Sequence, residues 1–263
     1  MRRTLRGLSS VPRVVRQLAD ALAEHRGARA AVDWVEAQLR QLPSLLGLQK
    51  LLVSKAAMRE GILYDILGRA GDNDPRDESV AALTHRYGID TVQAGRVQDT
   101  ALSLLEQVQE RWKLDADDAR MLGWAARLHE LGLMIAHSGY HVHGSYVLEN
   151  SDIAGFSRQE QQMLAALVRT HRRNVPKSAF EALPERLVVP ARRLAALLRL
   201  AVLVNRAHES TPLPVLEITA EDDRLSLIVP QSFIDPRPLL RADLIGEVDG
   251  MTGLGLQFKP FVA

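Results

Sequence analysis

LHELGLMIAHSGYHVHGSYVLEN, residues 128–150, decides how this chain is read. The stretch holds His129, His137, His141 and His143, four of the chain's eight histidines. At about 100° per residue, the helix leading into it puts Leu122, Ala125, Ala126, His129 and Leu133 on one stripe, so His129 looks inward. Trp124, Leu128 and Leu131 make the opposite face apolar too. The helix is therefore expected to be central, with Glu130 a carboxylate close to the core. An unpaired charge there costs roughly several kcal/mol, so the His129–Glu130 pair needs partners. Two readings follow: a hydrogen-bonded core pair, or a metal-binding or catalytic pair.

The other histidines leave a similar choice. His137 and His141 have the H-x-x-x-H spacing that suits a metal on a helix, but Ser138 and Gly139 fit a loop or a helix start equally well. Downstream, RTHRRNVPK (169–177) places Arg169, His171, Arg172, Arg173 and Lys177 around a helix end. Cations there complement the helix dipole, and they can also hold an anion.

Outward from this stretch, the chain reads as mostly helical. Asp90 is the expected N-cap of a helix running to about Trp112, and Ser157 with Glu160 forms an S-x-x-E capping box. ESVAALTHRYG (78–88) is a helix ended by Gly88, and Pro190 suits the first residue of a helix over 190–206. PVLEITAEDDRLSLIVP (214–230) alternates around a polar turn and predicts a hairpin, followed by a helix over about 237–248 and a short strand. Near the front, 10–46 suggests two helices, KLLVS (50–54) a strand and 55–69 a helix. AGDNDPRDE (70–78) is the best boundary.

Composition narrows the function classes. The chain has 263 residues, 46% hydrophobic and 25% charged, the balance of a soluble globular protein. Net charge is +1, so an anion site must arise from local clustering and nothing global calls for DNA. The absence of cysteine excludes disulfides and thiolate chemistry and fits a reducing cytoplasm. The basic N-terminus lacks the apolar segment of a secretory signal. LAALLRLAVLVN (194–205) is interrupted by Arg199 and too short for a bilayer, so no membrane association is expected.

Adjacent His and acid on a central helix resembles the HD phosphohydrolase superfamily, where an upstream histidine and a downstream aspartate complete a metal site. Here the upstream slot holds Gln93, and the downstream helix supplies Val202 and Asn205. Gln93 also fits a capping box with Asp90. Valine offers no ligand, so His129–Glu130 reads as a degenerate HD pair with no metal.

WAARLHELGLMIAHSGYHVHGSYVLENSDIAGFSRQEQQMLAALVRTHRR (124–173) and LLRLAVLVNRAHES (197–210) closely resemble the C-terminal region of the exopolyphosphatase and guanosine-pentaphosphate phosphatase (Ppx/GppA) family. SKAAMREGILYDILGR (54–69) is similar to the segment joining that family's actin-like catalytic part to its helical part. The resemblance covers roughly residues 45–263. It implies a mainly α fold: an HD-domain-like helical domain (73–263) with a small β-hairpin near the C-terminus. A short α/β remnant of an actin-like lobe (1–72, divergent before about 46) would precede it.

It further implies a cytoplasmic hydrolase releasing terminal phosphate from polyphosphate or guanosine pentaphosphate, and a homodimer. The helical part would supply a basic channel, for which His141, His143, Arg172, Arg173 and Lys177, with Arg59 of the joining helix, are the expected polyphosphate contacts. The family's catalysis rests on glycine-rich phosphate loops and Mg²⁺, and this chain has no Gly-Gly pair and no glutamate matching the family's water-activating one. No catalytic residue or cofactor is therefore expected in this chain, Mg²⁺ belonging with a catalytic lobe supplied elsewhere. The alternative is a catalytically inert, dimeric polyphosphate- or nucleotide-binding module.

Overall fold

The computed structural model describes residues 74–208 and 213–262, and the first expected domain (1–72), with Arg59, lies outside them. All described residues belong to one compact unit, Tyr64–Ala263. The architecture is mainly helical, with a three-stranded sheet near the C-terminus.

Helix α1 (Pro75–Arg86) begins ahead of the expected Glu78, because Asp74 accepts from the Arg76 N–H and Pro75 takes the first helical position. Helix α2 (Thr91–Trp112) starts as expected, with Asp90 accepting from the N–H groups of Val92 and Gln93. Its Ala94, Val97, Ala101, Leu104, Leu105, Val108 and Trp112 form the buried helical stripe.

Helix α3 (Ala116–Leu128) stops before the histidine: His129 is its C-cap and a 3₁₀ turn follows over Leu131–Met134. The predicted stripe ends there, and Leu133 is exposed. The cause is tertiary. Gly132 passes so close to helix α4 (Tyr140–Asn150) that a Cβ on it would stand 2.0 Å from the Tyr140 carbonyl oxygen and 2.6 Å from the Gly144 nitrogen. Gly139, with φ of 68°, is the N-cap of α4, so His137 precedes the helix and His141 lies inside it.

Helix α5 (Arg158–Thr170) carries the expected Ser157–Glu160 capping box. Helix α6 (Glu185–Val204) corrects another expectation: Pro190 lies inside the helix rather than at its start. Leu187 and Val188 pack against the core and hold the preceding turn in place despite the missing N–H. Leu104, Leu122, Leu128, Leu164, Leu194, Leu197, Leu198 and Leu200 are fully buried, each contributing about 1.5–3 kcal/mol of transfer free energy.

Strands β1 (Glu217–Glu221) and β2 (Arg224–Val229) form the expected antiparallel hairpin, turning at Asp222. The short helix α7 (Gln231–Ile234) and helix α8 (Pro238–Gly253) then cross over to β3 (Gln257–Val262), which pairs parallel with β2 at the sheet edge. Among the described residues no helix is long and apolar enough to cross a membrane.

Candidate functional site

Where α3, α4, α5, α6 and α8 meet, a cleft of about 730 Å³ opens. Glu130 sits at the end of α3, His137 and Tyr140 at the start of α4, and His171, Arg172 and Arg173 just past the end of α5. Arg199, Val202, Leu203 and Arg206 come from α6 and the turn that follows it, and Asp243, Glu247 and Asp249 from α8. One wall is basic and the facing wall acidic.

The inner end is a packed group of rings. His129 and His171 are both buried and meet edge to face at 5.5 Å. Each bonds through Nδ1 to a carbonyl three residues back, His129 to Ala126 and His171 to Val168, both at 2.7 Å. Donation from Nδ1–H leaves each Nε2 as an acceptor when the ring is neutral. Burial favours that neutral form: it lowers the His129 pKa, against the pull of Glu130, and holds His171 well below the usual histidine range. Tyr140 lies 5.5 Å from the His171 ring, its hydroxyl 3.5 Å from His171 Nε2. Burial also raises the Tyr140 pKa, with Arg172 opposing it. Glu130 Oε1 is 3.8 Å from His129 Nε2 and 3.5 Å from His208 Nε2, so the pair predicted to be near the core is buried and joined by a third group.

The expected metal positions are committed to other bonds. Gln93 Nε2 donates to the Asn205 carbonyl at 2.8 Å, and Arg96 donates to Gln93 Oε1 at 3.1 Å. The Asn205 amide donates to Thr100 and to the Ala201 carbonyl. Gln93 thus ties the start of α2 to the end of α6 instead of closing a capping box with Asp90. Among the described residues no group of three or more His, Asp or Glu side chains converges as metal ligands.

The arginines divide into two kinds. Arg199 is buried, donating to the Glu247 carboxylate and, at 2.5 Å, to the Thr170 carbonyl. Gly250 leaves it room, since a Cβ there would sit 2.3 Å from the guanidinium. Arg206 pairs with Asp243 at 2.5 Å. By contrast, Arg172 and Arg173 have no carboxylate partner among the described residues. Arg172 lies 4.6 Å over the Tyr140 ring, and Arg173 is exposed with φ of 60°, directed by the left-handed turn that ends α5.

Of the sequence candidates, Arg172 and Arg173 line the cleft together. His141 does not line it but is buried 6.2 Å from the His171 ring. Among the described residues its Nδ1 has no hydrogen-bond partner, and burial with Arg169, Arg172 and Arg173 nearby pushes its pKa down to about 4. His143 is half-buried on α4 and Lys177 is exposed at the start of a 3₁₀ turn, and neither lines the cleft. Sequence reasoning missed Tyr140, Arg206, His208 and the acidic wall. Arg199 had a signal, as the one charge inside an apolar helical run.

The comparisons with known proteins agree with this architecture. Residues 76–248 match the profile of the family described as Ppx/GppA phosphatase, domain III. A guanosine-5′-triphosphate,3′-diphosphate pyrophosphatase from Pseudoalteromonas translucida is 33% identical over 211 residues, 80% of this chain and 42% of the relative. One of the same name from Aeromonas hydrophila is 32% identical over 214 residues, with the same coverage. The chain thus spans less than half the length of these relatives. With the family profile covering most of the cleft and nearly every helix that builds it, the chain belongs to the Ppx/GppA phosphatase family.

Proposed function

We propose that this chain is the phosphate-holding helical part of a Ppx/GppA-type phosphohydrolase acting in the cytoplasm. It binds a polyphosphate or a guanosine polyphosphate, while bond cleavage belongs to a catalytic lobe supplied elsewhere. The observation that carries this reading is the pair Arg172 and Arg173, two guanidiniums lining one cleft without carboxylate partners among the described residues. Arginine forks match phosphate oxygens, and the paired Arg199 and Arg206 fix the wall on which they stand. Exposed Met134, Ile135 and Tyr146 supply an apolar surface for the homodimer we also propose.

Replacing Arg172 and Arg173 together by alanine should weaken polyphosphate binding by about ten-fold or more, as charge-assisted hydrogen bonds contribute roughly 1.5–3 kcal/mol each. Binding should fall steeply with salt as counterions are released. Arg111 and Arg224, exposed and outside the cleft, form the control pair. An equal loss in the control, or a flat salt dependence, would refute a defined phosphate site. Light scattering on the same sample should give dimer mass, and monomer alone would refute self-pairing.

A further inference from the structure

A second pocket, of about 520 Å³, lies between the end of α6, the short helix α7 and the start of α8. Small-molecule sites are typically concave and mostly apolar, roughly 300–1,000 Å³ in volume, with a few polar groups that fix orientation. This pocket has that build. Leu203, Leu213, Pro236, Pro238, Leu239 and Leu240 make an aliphatic wall. Leu239, the second residue of α8, is 80% exposed there.

The polar groups decide what such a wall can hold. Asn205 is buried, its amide committed to Thr100 and to the Ala201 carbonyl. Of the other polar side chains, Arg206 and Arg237 are positive and Asp243 negative, so the pocket carries a net positive charge. Arg206 donates through Nη1 to Asp243 Oδ2, and its side chain is 66% exposed. A guanidinium has five N–H donors in a planar fork, so this bond leaves Arg206 able to take a second carboxylate. The wall is not built to stack a flat ring. Phe233 is the only aromatic side chain lining the pocket among the described residues, and Arg237 covers one of its faces at 4.2 Å. An alkyl chain needs no stacking face and can follow leucine and proline side chains, gaining from their shared removal from water.

We infer that this pocket binds a single-chain fatty acid, its carboxylate on Arg206 and its alkyl chain along Leu203, Leu213, Leu239 and Leu240. A neutral or cationic amphiphile would leave the positive charge unmatched, and an inorganic anion has no apolar part to use the wall. Leu203, Arg206 and Asp243 also line the cleft, but the inference does not depend on what the cleft holds.

Titration calorimetry on the full chain would compare octanoate, decanoate and dodecanoate below their micelle concentrations, with octanol and octyltrimethylammonium as neutral and cationic counterparts. Dodecanoate should bind one per chain. Affinity should rise about three- to four-fold with each added methylene, as the alkyl chain leaves water. Octanoate should bind about ten-fold or more tighter than either counterpart, from its charge-assisted bonds to Arg206. Ala207 is exposed and lines this pocket but not the cleft, so Ala207→Trp should fill the pocket and abolish dodecanoate binding. Leu239→Asp should weaken it by about ten-fold or more, by removing apolar wall and repelling the carboxylate. Ile245→Asp, exposed on the same helix and outside the pocket, should leave it unchanged. Arg206→Gln should bring octanoate down to the level of octanol. Affinity independent of chain length, or a counterpart binding as tightly as octanoate, overturns the site. So does dodecanoate binding that survives both pocket variants, or that Ile245→Asp removes as well. Attachment to anionic phospholipid vesicles without binding of free dodecanoate would make the patch a membrane contact and overturn it too.

Discussion

His129, His141 and His171 are buried side by side, and burial depresses the pKa of all three, that of His141 to about 4. In the unfolded chain each would titrate near about 6.5. As pH falls below that value, the unfolded state takes up protons that the folded state refuses. Stability is therefore whole above about pH 6.5 and drains away as pH falls towards the folded values. The slope is about 1.4 kcal/mol per pH unit for each proton taken up on unfolding. Urea midpoints should drop clearly between pH 7 and pH 5, and His141→Gln should flatten the slope. A midpoint unchanged over that range would mean that these rings do not stay neutral in the fold. The inward direction of His129 was legible from helical period alone. The unpartnered Nδ1 of His141 was not, because it depends on which rings α4 and α5 bring beside it.

Helix ends show where local sequence suffices and where it does not. Asp90 and Ser157 cap as their sequence signatures require, since the bonds run only two or three residues along the chain. Leu128 gives no such sign. The end of α3 is imposed by Gly132 meeting α4, a contact no periodicity reveals. Pro190 misleads for a related reason: its usual place in the first helical turn yields to the packing of Leu187 and Val188. The glycine contact is testable. Gly132→Ala must drive a methyl group into the Tyr140 carbonyl and the α4 backbone, at a cost of about 3 kcal/mol or more. Gly246→Ala, with nothing within 4 Å of the added carbon, should be neutral or slightly stabilising. Denaturant unfolding of the two variants compares them directly. Equal stability would show that the 3₁₀ turn can move away from α4.

Across the whole molecule, the long motifs around His129 and Arg172 identified the family and the helical fold, and the basic side of the cleft could be read as a helix end rich in arginine. The acidic side could not. It exists because β2 and β3 pair in parallel, which forces α8 to cross back and lie over the cleft. That crossover also limits how a ligand can arrive. The α8 segment runs between two paired strands of one sheet, and Arg199 fastens its middle through Glu247, so the expectation is an acidic wall that does not swing aside. Capture should then be a one-step encounter. In stopped-flow mixing with polyphosphate, the observed rate should rise linearly with ligand concentration, whereas a plateau would reveal a wall that opens first. The timing of release would then be set by how strongly the phosphates are held, with no gate to wait for.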